Sequence, residues 1–210
     1  MPQPRAVLWA VPRAVLWDFG NVIVRWDPRT LYAKIFPDAA ERDRFLADVC
    51  TPAWHIETDR GTPFAENCAR LAAEHPHHAE AIWAWRDRWG EMFSGPIAET
   101  EAAIEALHGR GVPQFGLSNI SHETLDSTLA MSPAFGRLGG VIASGLEGLI
   151  KPQPEIFHLA CTRFGFRPAE FLFVDDGLHN VEAARALGFD VHHFTDPADL
   201  RPALEARGLL

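Results

Sequence analysis

The chain has 210 residues, of which 47% are hydrophobic, and a formal net charge of −9 at pH 7. This length and composition predict a packed globular protein with one α/β core and an inserted element. The acidic charge argues against nucleic acids and anionic membranes as partners, because both attract clustered Lys and Arg. Three scattered cysteines, no apolar run of ~20 residues and no basic N-terminal leader lead us to expect a cytoplasmic protein without disulfides or a zinc site.

Strands and helices are predicted to alternate along the chain, as in a doubly wound, mostly parallel sheet. The predicted strands cover residues 14–17, 112–117, 140–143, 171–174 and 191–194. The predicted helices of this core cover residues 96–110, 121–131, 154–164, 178–187 and 197–207, with Ser121 as the N-cap of the second. The sequence therefore predicts an α/β fold in which five strands are joined by helices.

The N-terminus contains a repeat, since the sequence PRAVLW at residues 4–9 recurs at residues 12–17. Only the second copy leads into an acidic residue, Asp18, so we expect that copy to form the first strand of the core. Residues 1–11 are then an N-terminal extension. Its structure does not follow from the sequence.

A second region, roughly residues 30–93, is predicted to be wholly helical. Ile82, Trp85, Trp89 and Met92 recur at helical spacing and are expected to pack on one face. We therefore predict a small helical domain at 30–93, inserted between core segments 12–29 and 94–210.

Polar residues follow three of the predicted core strands, where ligands bind in open α/β sheets. Asp18 follows the first strand, Ser118 and Asn119 follow the second, and Asp175 and Asp176 follow the fourth. Two adjacent carboxylates at a strand end repel each other, and a divalent cation is the simplest compensation. A solvated acidic turn is the alternative.

In this order, and with Lys151-Pro152 between the last two groups, the segments resemble the four motifs of the haloacid dehalogenase (HAD) superfamily. The resemblance implies a Rossmann-like core, a helical cap over the active site and, in most members, Mg²⁺-dependent phosphatase activity. Asp18 would be the nucleophile that forms an aspartyl-phosphate. Lys151 would neutralise charge on Asp18 and the phosphoryl group, while Ser118 and Asn119 would hold phosphoryl oxygens.

The same resemblance implies a metal site. Asp18 and Asp176 would ligate Mg²⁺ directly, Asp175 would ligate it through water or as a supporting ligand, and the main-chain carbonyl of Gly20 would complete the protein's share. Asn21 is predicted to contact the substrate, a small phosphorylated metabolite.

In the cap, we predict further substrate contacts from Arg60 and from Trp54, beside an expected loop at 55–61. A surface salt bridge is an equal alternative for Arg60, and ordinary core packing is the alternative for the cap tryptophans.

Gly20 departs from the usual phosphatase pattern, in which a second Asp follows two residues after the nucleophile and protonates the leaving group. Without it, aryl or anomeric phosphates should react faster than alkyl phosphates, unless Asp27 or a cap histidine substitutes.

Three functions remain open on the sequence alone. The leading one is hydrolysis of small phosphate monoesters, with sugar phosphates among the candidates. The second is a metal-independent 2-haloacid dehalogenase that uses Asp18, although such enzymes usually carry Ser-Asn in place of Asp175-Asp176 and an aromatic residue in place of Gly20. The third is a catalytically weak phosphate-binding or interaction protein.

Overall fold

A five-stranded parallel sheet forms the centre of the protein in a computed structural model that describes residues 12–210. The strands of the described chain are β1 (Ala14–Trp17), β2 (Val24–Trp26), β3 (Phe93–Pro96), β4 (Gln114–Ser118), β5 (Val141–Ala143), β6 (Phe171–Asp175) and β7 (Asp190–His193). The central sheet has the order β5-β4-β1-β6-β7, and every neighbouring pair is parallel. The predicted doubly wound α/β fold is confirmed, with strand ends shifted by one or two residues.

The central strand β1 is apolar throughout because both of its faces are covered. Val15 and Trp17 pack into the layer that contains the helices Ala98–Gly109 and Leu200–Glu205, whereas Ala14 and Leu16 pack into the opposite layer. All four side chains are fully buried. Residues covered on both sides of a parallel sheet form a continuous hydrophobic run rather than an alternating one.

Helices cover the sheet and build a separate inserted region. Those of the described chain are α1 (Pro28–Tyr32), α2 (Ala39–Asp48), α3 (Pro52–Asp59), α4 (Phe64–Glu74), α5 (Ala79–Asp87), α6 (Ala98–Gly109), α7 (Leu125–Leu129), α8 (Ser144–Glu147), α9 (Pro154–Phe164), α10 (Leu178–Ala186) and α11 (Leu200–Glu205). The predicted helix at 154–164 has the predicted bounds. None of the helices at residues 12–210 is both long and apolar enough to cross a membrane.

The inserted region, called the cap below, consists of α1 to α5 and has its own hydrophobic core. The four predicted face residues, Ile82, Trp85, Trp89 and Met92, are all buried in it. Trp89 and Met92 lie in a 3₁₀ turn after α5 rather than in the helix itself. The chain enters and leaves the cap through the antiparallel pair β2 and β3, and β3, which starts at Phe93, was not predicted.

Three other expectations differ from the structure. The helix predicted at 121–131 with Ser121 as its N-cap is reduced to α7, whose N-cap is Thr124. The Glu123 carboxylate, before this helix, accepts a hydrogen bond from the backbone N–H of the cap residue Phe64 (2.9 Å). The terminal helix begins as a 3₁₀ turn and is α-helical only in α11. The helix α8 was not predicted. The predicted extension at 1–11, with the first PRAVLW copy, lies outside the described residues.

Candidate active site

A cavity of about 220 Å³ lies at the carboxyl edge of the sheet, between the core and the cap. It forms there because β1, β4 and β6 are adjacent and parallel, so the residues after them meet at one edge. The predicted site residues that line this cavity are Asp18, Gly20, Asn21, Ser118, Asn119, Lys151 and Asp176.

Lys151 lies at the base of the cavity and is only 2% exposed. Its Nζ is 2.7 Å from Oδ1 of Asp18 and 2.6 Å from Oδ2 of Asp175. Burial alone would lower the pKa of Lys151, but Asp175 and Asp18 outweigh burial and raise it. The ammonium group therefore stays charged between two carboxylates.

Asn119 fixes the backbone of Lys151 rather than facing the cavity with a free amide. Its Oδ1 accepts a hydrogen bond from the Lys151 N–H (2.8 Å), and its Nδ2 donates to the Lys151 carbonyl (3.0 Å). Ser118, the last residue of β4, is buried beside it at the cavity wall. Of the two predicted phosphoryl contacts, Ser118 thus lies at the cavity wall, where its hydroxyl could reach a phosphoryl oxygen. The Asn119 side chain instead joins the loop after β4 to the loop that carries Lys151.

The two adjacent acids after β6 have different surroundings. Asp175 is fully buried, and its carboxylate accepts hydrogen bonds from Lys151, from the Gly177 N–H (2.7 Å) and from Nδ2 of Asn180 (3.0 Å). Asp176 lines the cavity and is partly exposed. The pKa of Asp176 is raised by burial and by the charge of Asp175. Lys151 and Asn21 oppose this rise without cancelling it.

Carboxylate oxygens of Asp18, Asp175 and Asp176 all lie within 4.8 Å of one another. Burial raises the pKa of Asp18 to about 7, with Lys151 opposing and the other two acids adding to the shift. Three carboxylates with one ammonium leave excess negative charge in a buried place, and hard oxygen donors are the ligands that Mg²⁺ prefers. The residues present therefore fit a divalent cation, which would stabilise the ionised form of Asp18.

Gly20 and Asn21 form the turn after Asp18. Asn21 adopts a left-handed backbone conformation (φ 55°), which Asn tolerates better than most residues, and its Oδ1 accepts a hydrogen bond from the Trp26 N–H (3.0 Å). A Cβ at Gly20 would be 3.9 Å from Cβ of Trp26, an ordinary contact. The backbone therefore does not require glycine at position 20.

The cap side of the cavity is lined by five residues that were not predicted to lie at the site: Trp26, His55, Asp59, Trp89 and Phe93. The His55 ring packs against Trp26 and Trp89, with ring centroids 5.6 and 5.7 Å apart. The sequence signal that could have identified two of them is the four-residue spacing of His55 and Asp59, which places both side chains on one face of a helix.

Trp54 and Arg60, predicted as substrate contacts, do not line the cavity. The expected loop at 55–61 is instead mostly helix, because Thr51 caps α3 and the helix continues to Asp59. Trp54 consequently points into the cap core, where its Nε1 donates to the Asn67 carbonyl (3.2 Å). Arg60 lies at the surface, 3.9 Å from Glu57, as in the salt-bridge alternative.

A family model described as haloacid dehalogenase-like hydrolase matches residues 12–188. The chain belongs to this family. The protein is 27% identical over 200 residues to Sesquiterpene phosphatase astK of Aspergillus oryzae. The alignment covers 94% of this chain and 96% of that protein. It is also 31% identical over 96 residues to Haloacetate dehalogenase H-2 of Moraxella sp. (strain B), covering 46% of this chain and 43% of that one.

The fold is also similar to a solved HAD family enzyme from Bacteroides thetaiotaomicron. That structure is a complex with magnesium and inorganic phosphate. It has a TM-score of 0.66 at 20% identity and covers 90% of this chain and 98% of that one. The similarity confirms the predicted HAD core architecture.

Proposed function

We propose that this HAD hydrolase is a Mg²⁺-dependent phosphatase of small phosphate monoesters that acts through an aspartyl-phosphate on Asp18. The observation that carries the proposal is the group of three carboxylates around the buried Lys151 at the edge of the sheet. A phosphatase relative along nearly the whole chain and a structural neighbour solved with magnesium and phosphate support it.

In this reaction Asp18 attacks phosphorus in line with the leaving oxygen, and the leaving P–O bond breaks. Lys151 keeps Asp18 oriented through the 2.7 Å contact and offsets the negative charge of the phosphoryl group. Ser118 donates its hydroxyl hydrogen to a phosphoryl oxygen. Mg²⁺, held by Asp18, Asp176 and the Gly20 carbonyl with Asp175 in support, would supply further charge neutralisation.

Asn119 acts indirectly in this mechanism, because both polar atoms of its side chain bind the Lys151 backbone. We expect it to set the position of the ammonium group. Water then attacks the aspartyl-phosphate, which releases inorganic phosphate and restores the Asp18 carboxylate.

The cavity limits the substrate in size and polarity. A cavity of about 220 Å³ has room for a phosphoryl group and a small leaving group. Trp26, Trp89 and Phe93 give the cap side flat apolar surfaces, which suit the C–H face of a sugar or a short hydrocarbon. We propose sugar phosphates and small apolar monoesters as the first substrates to screen, with Asn21 as a contact at the core side.

The dehalogenase alternative uses the same aspartate without a metal. The match to a haloacetate dehalogenase over 46% of this chain is the reason to test this alternative. The acids after β6 favour the phosphatase. Without a metal ion, the carboxylate of Asp176 would repel the nearby nucleophile Asp18 with no cation to offset the repulsion.

The test is a phosphate-release screen over many phosphate monoesters, with and without Mg²⁺, using the native protein and Asp18→Asn. We expect Mg²⁺-dependent release that a chelator abolishes, and no turnover by the variant, since the nearly isosteric amide is a poor nucleophile. An unchanged circular dichroism spectrum controls for folding. Chelator-resistant halide release from 2-haloacids would establish the dehalogenase instead. Binding of Mg²⁺ and phosphate without any turnover would establish the weak binding protein.

A further inference from the structure

A proton donor for the leaving group is missing from the core side of the cavity, because Gly20 occupies the position of the usual acid. Among the described residues that line the cavity, the titratable groups outside the nucleophile, the metal-binding acids and Lys151 are His55 and Asp59. Both belong to α3 of the cap and are four residues apart, on one face of the helix.

Asp59 is in an unusual environment for a carboxyl group. It is only 6% exposed, and its Oδ1 is buried with no hydrogen-bond partner at residues 12–210. Its Oδ2 is 3.8 Å from Nε2 of His55. An ionised carboxylate without hydrogen bonds is costly to bury, whereas the protonated acid is neutral and can donate.

The charges near Asp59 do not remove this preference. Burial raises the pKa of Asp59, while His55 and Lys151 act in the opposite direction without cancelling the rise. A protonated carboxylic acid at a cavity wall, kept neutral by burial, is the state that a general acid requires.

The other acid suggested by the sequence, Asp27, lies outside this cavity. Its Oδ1 accepts a hydrogen bond from the Arg29 N–H (2.9 Å) and caps α1, and its side chain is 52% exposed. Its carboxylate is therefore engaged in capping α1 and lies in the wrong place for proton transfer to a leaving group.

The direction of the reaction places the leaving oxygen toward the cap. Asp18 attacks from the core edge, so in an in-line displacement the leaving oxygen is on the far side of phosphorus. We propose that Asp59 protonates this oxygen and so replaces the acid absent at Gly20, with His55 positioning its carboxyl group. This inference rests on the proposed phosphatase function.

The proton and electron balance closes over the two steps. The Asp18–P bond forms as the P–OR bond breaks, and the leaving oxygen takes the bonding electron pair together with the Asp59 proton, which gives ROH and the Asp59 carboxylate. That carboxylate then accepts a proton from the attacking water as the new P–O bond forms and the Asp18–P bond breaks. Inorganic phosphate leaves, and both aspartates return to their starting states.

The experiment compares kcat/KM for 4-nitrophenyl phosphate and for a primary alkyl phosphate, at saturating Mg²⁺, in the native protein and in Asp59→Asn. An aryl oxide leaves as a stable anion and needs little protonation, whereas an alkoxide needs it. We expect Asp59→Asn to lose about 10²–10⁴-fold on the alkyl substrate and only a few-fold on the aryl substrate. Glu57→Gln, which changes a partly exposed acid of the same helix that does not line the cavity, is the matched control and should leave both rates unchanged.

A second variant separates this role from misfolding. Gly20→Asp in the Asp59→Asn background returns an acid to the core side, where the backbone has room for a side chain, and should restore turnover of the alkyl substrate. Equal losses on both substrates, or selective loss of the alkyl substrate in His55→Gln but not in Asp59→Asn, would overturn the assignment while leaving the phosphatase intact. Absence of Mg²⁺-dependent release from both substrates by the native protein would instead refute the proposed function.

Discussion

Asp175 and Asp176 are neighbours in sequence, yet their side chains have different tasks in the structure. Asp175 is enclosed and binds Lys151, Gly177 and Asn180, which uses both of its oxygens. Asp176 faces the cavity. The buried acid thus holds the framework of the site together, and the exposed one remains available for a metal ion.

We therefore expect the two alanine substitutions to affect different properties, namely stability for Asp175 and the Mg²⁺ requirement for Asp176. Asp175→Ala should destabilise the fold by about 3–5 kcal/mol, because it removes one partner of a buried ion pair. Asp176→Ala should leave stability without Mg²⁺ nearly unchanged, since it also relieves repulsion between two acids, but should raise the Mg²⁺ concentration needed for activity. Urea denaturation and Mg²⁺ titration of both variants measure this. A greater Mg²⁺ requirement in a stable Asp175→Ala would reverse the proposed roles.

Where a strand ends, the sequence predicts which side chains meet at the cavity. Asp18, Ser118 and Asp176 come together because the edge of a parallel sheet is a fixed feature of the fold. Trp54 and Arg60 were selected by their position near an expected loop, but the turn-by-turn rotation of α3 decides which side chains reach the cavity. One residue along a helix rotates a side chain by about 100°, which is why Asp59 lines the cavity and Arg60 does not.

At the scale of elements, the end of α3 is held close to the core. Gly61 follows it with a φ of 104°, and a Cβ there would be 3.0 Å from the carbonyl oxygen of Gly145 in α8. Both the backbone conformation and this close approach favour glycine. The contact fixes how deeply the segment with Asp59 sits against the core.

Gly61→Ala should therefore cost about 1–2 kcal/mol of stability, from the left-handed conformation alone, and should move α3 away from the core. We expect turnover of an alkyl phosphate to fall more than that of an aryl phosphate. Gly109→Ala is the control, because Gly109 is the exposed last residue of α6 and a new Cβ there would have no atom within 4 Å. This variant should be more stable than the native protein by about 0.4–1 kcal/mol. Equal stability of the two variants in urea would contradict this account.

The elements that the sequence missed are short and only partly buried. β2 has one buried residue in three positions, and β3 alternates partly buried with exposed residues over four. These are too few positions for a periodic pattern to be distinguished from a loop. The core strands β1 and β6 were predictable because they are fully buried, largely apolar runs that end at acidic residues. The short α8 has a similar explanation, since a single turn carries almost no helical periodicity.

At the scale of the whole molecule, the buried acidic site makes stability depend on pH and on metal. The pKa of Asp18 is about 7 in the folded protein against 3.8 as its ordinary value. Between these values the folded state binds more protons than the unfolded state, so the free energy of unfolding falls as pH rises. Ionised Asp18 is the form that a divalent cation would stabilise.

Without divalent cations, Asp18→Asn should thus gain stability relative to the native protein between about pH 5 and about pH 8. Mg²⁺ should reduce that difference at the higher pH by stabilising the native protein alone. Urea denaturation at both pH values, with and without Mg²⁺, tests the prediction. Titratable groups away from the site are common to both proteins and cancel in the comparison. Parallel pH profiles for the two proteins would show that Asp18 is ionised throughout.

The antiparallel strands β2 and β3 have a consequence for how this protein could be altered. Because they pair side by side, and because the Asp27 N–H donates to the Met92 carbonyl (2.9 Å), the two ends of the cap are one hydrogen bond apart. Both chain connections between the cap and the core thus lie at one place, so a short turn or a different helical domain could be joined there without breaking the central sheet. If Asp59 has the proposed role, exchanging the cap would change the leaving-group preference and leave the residues proposed to bind phosphorus in place.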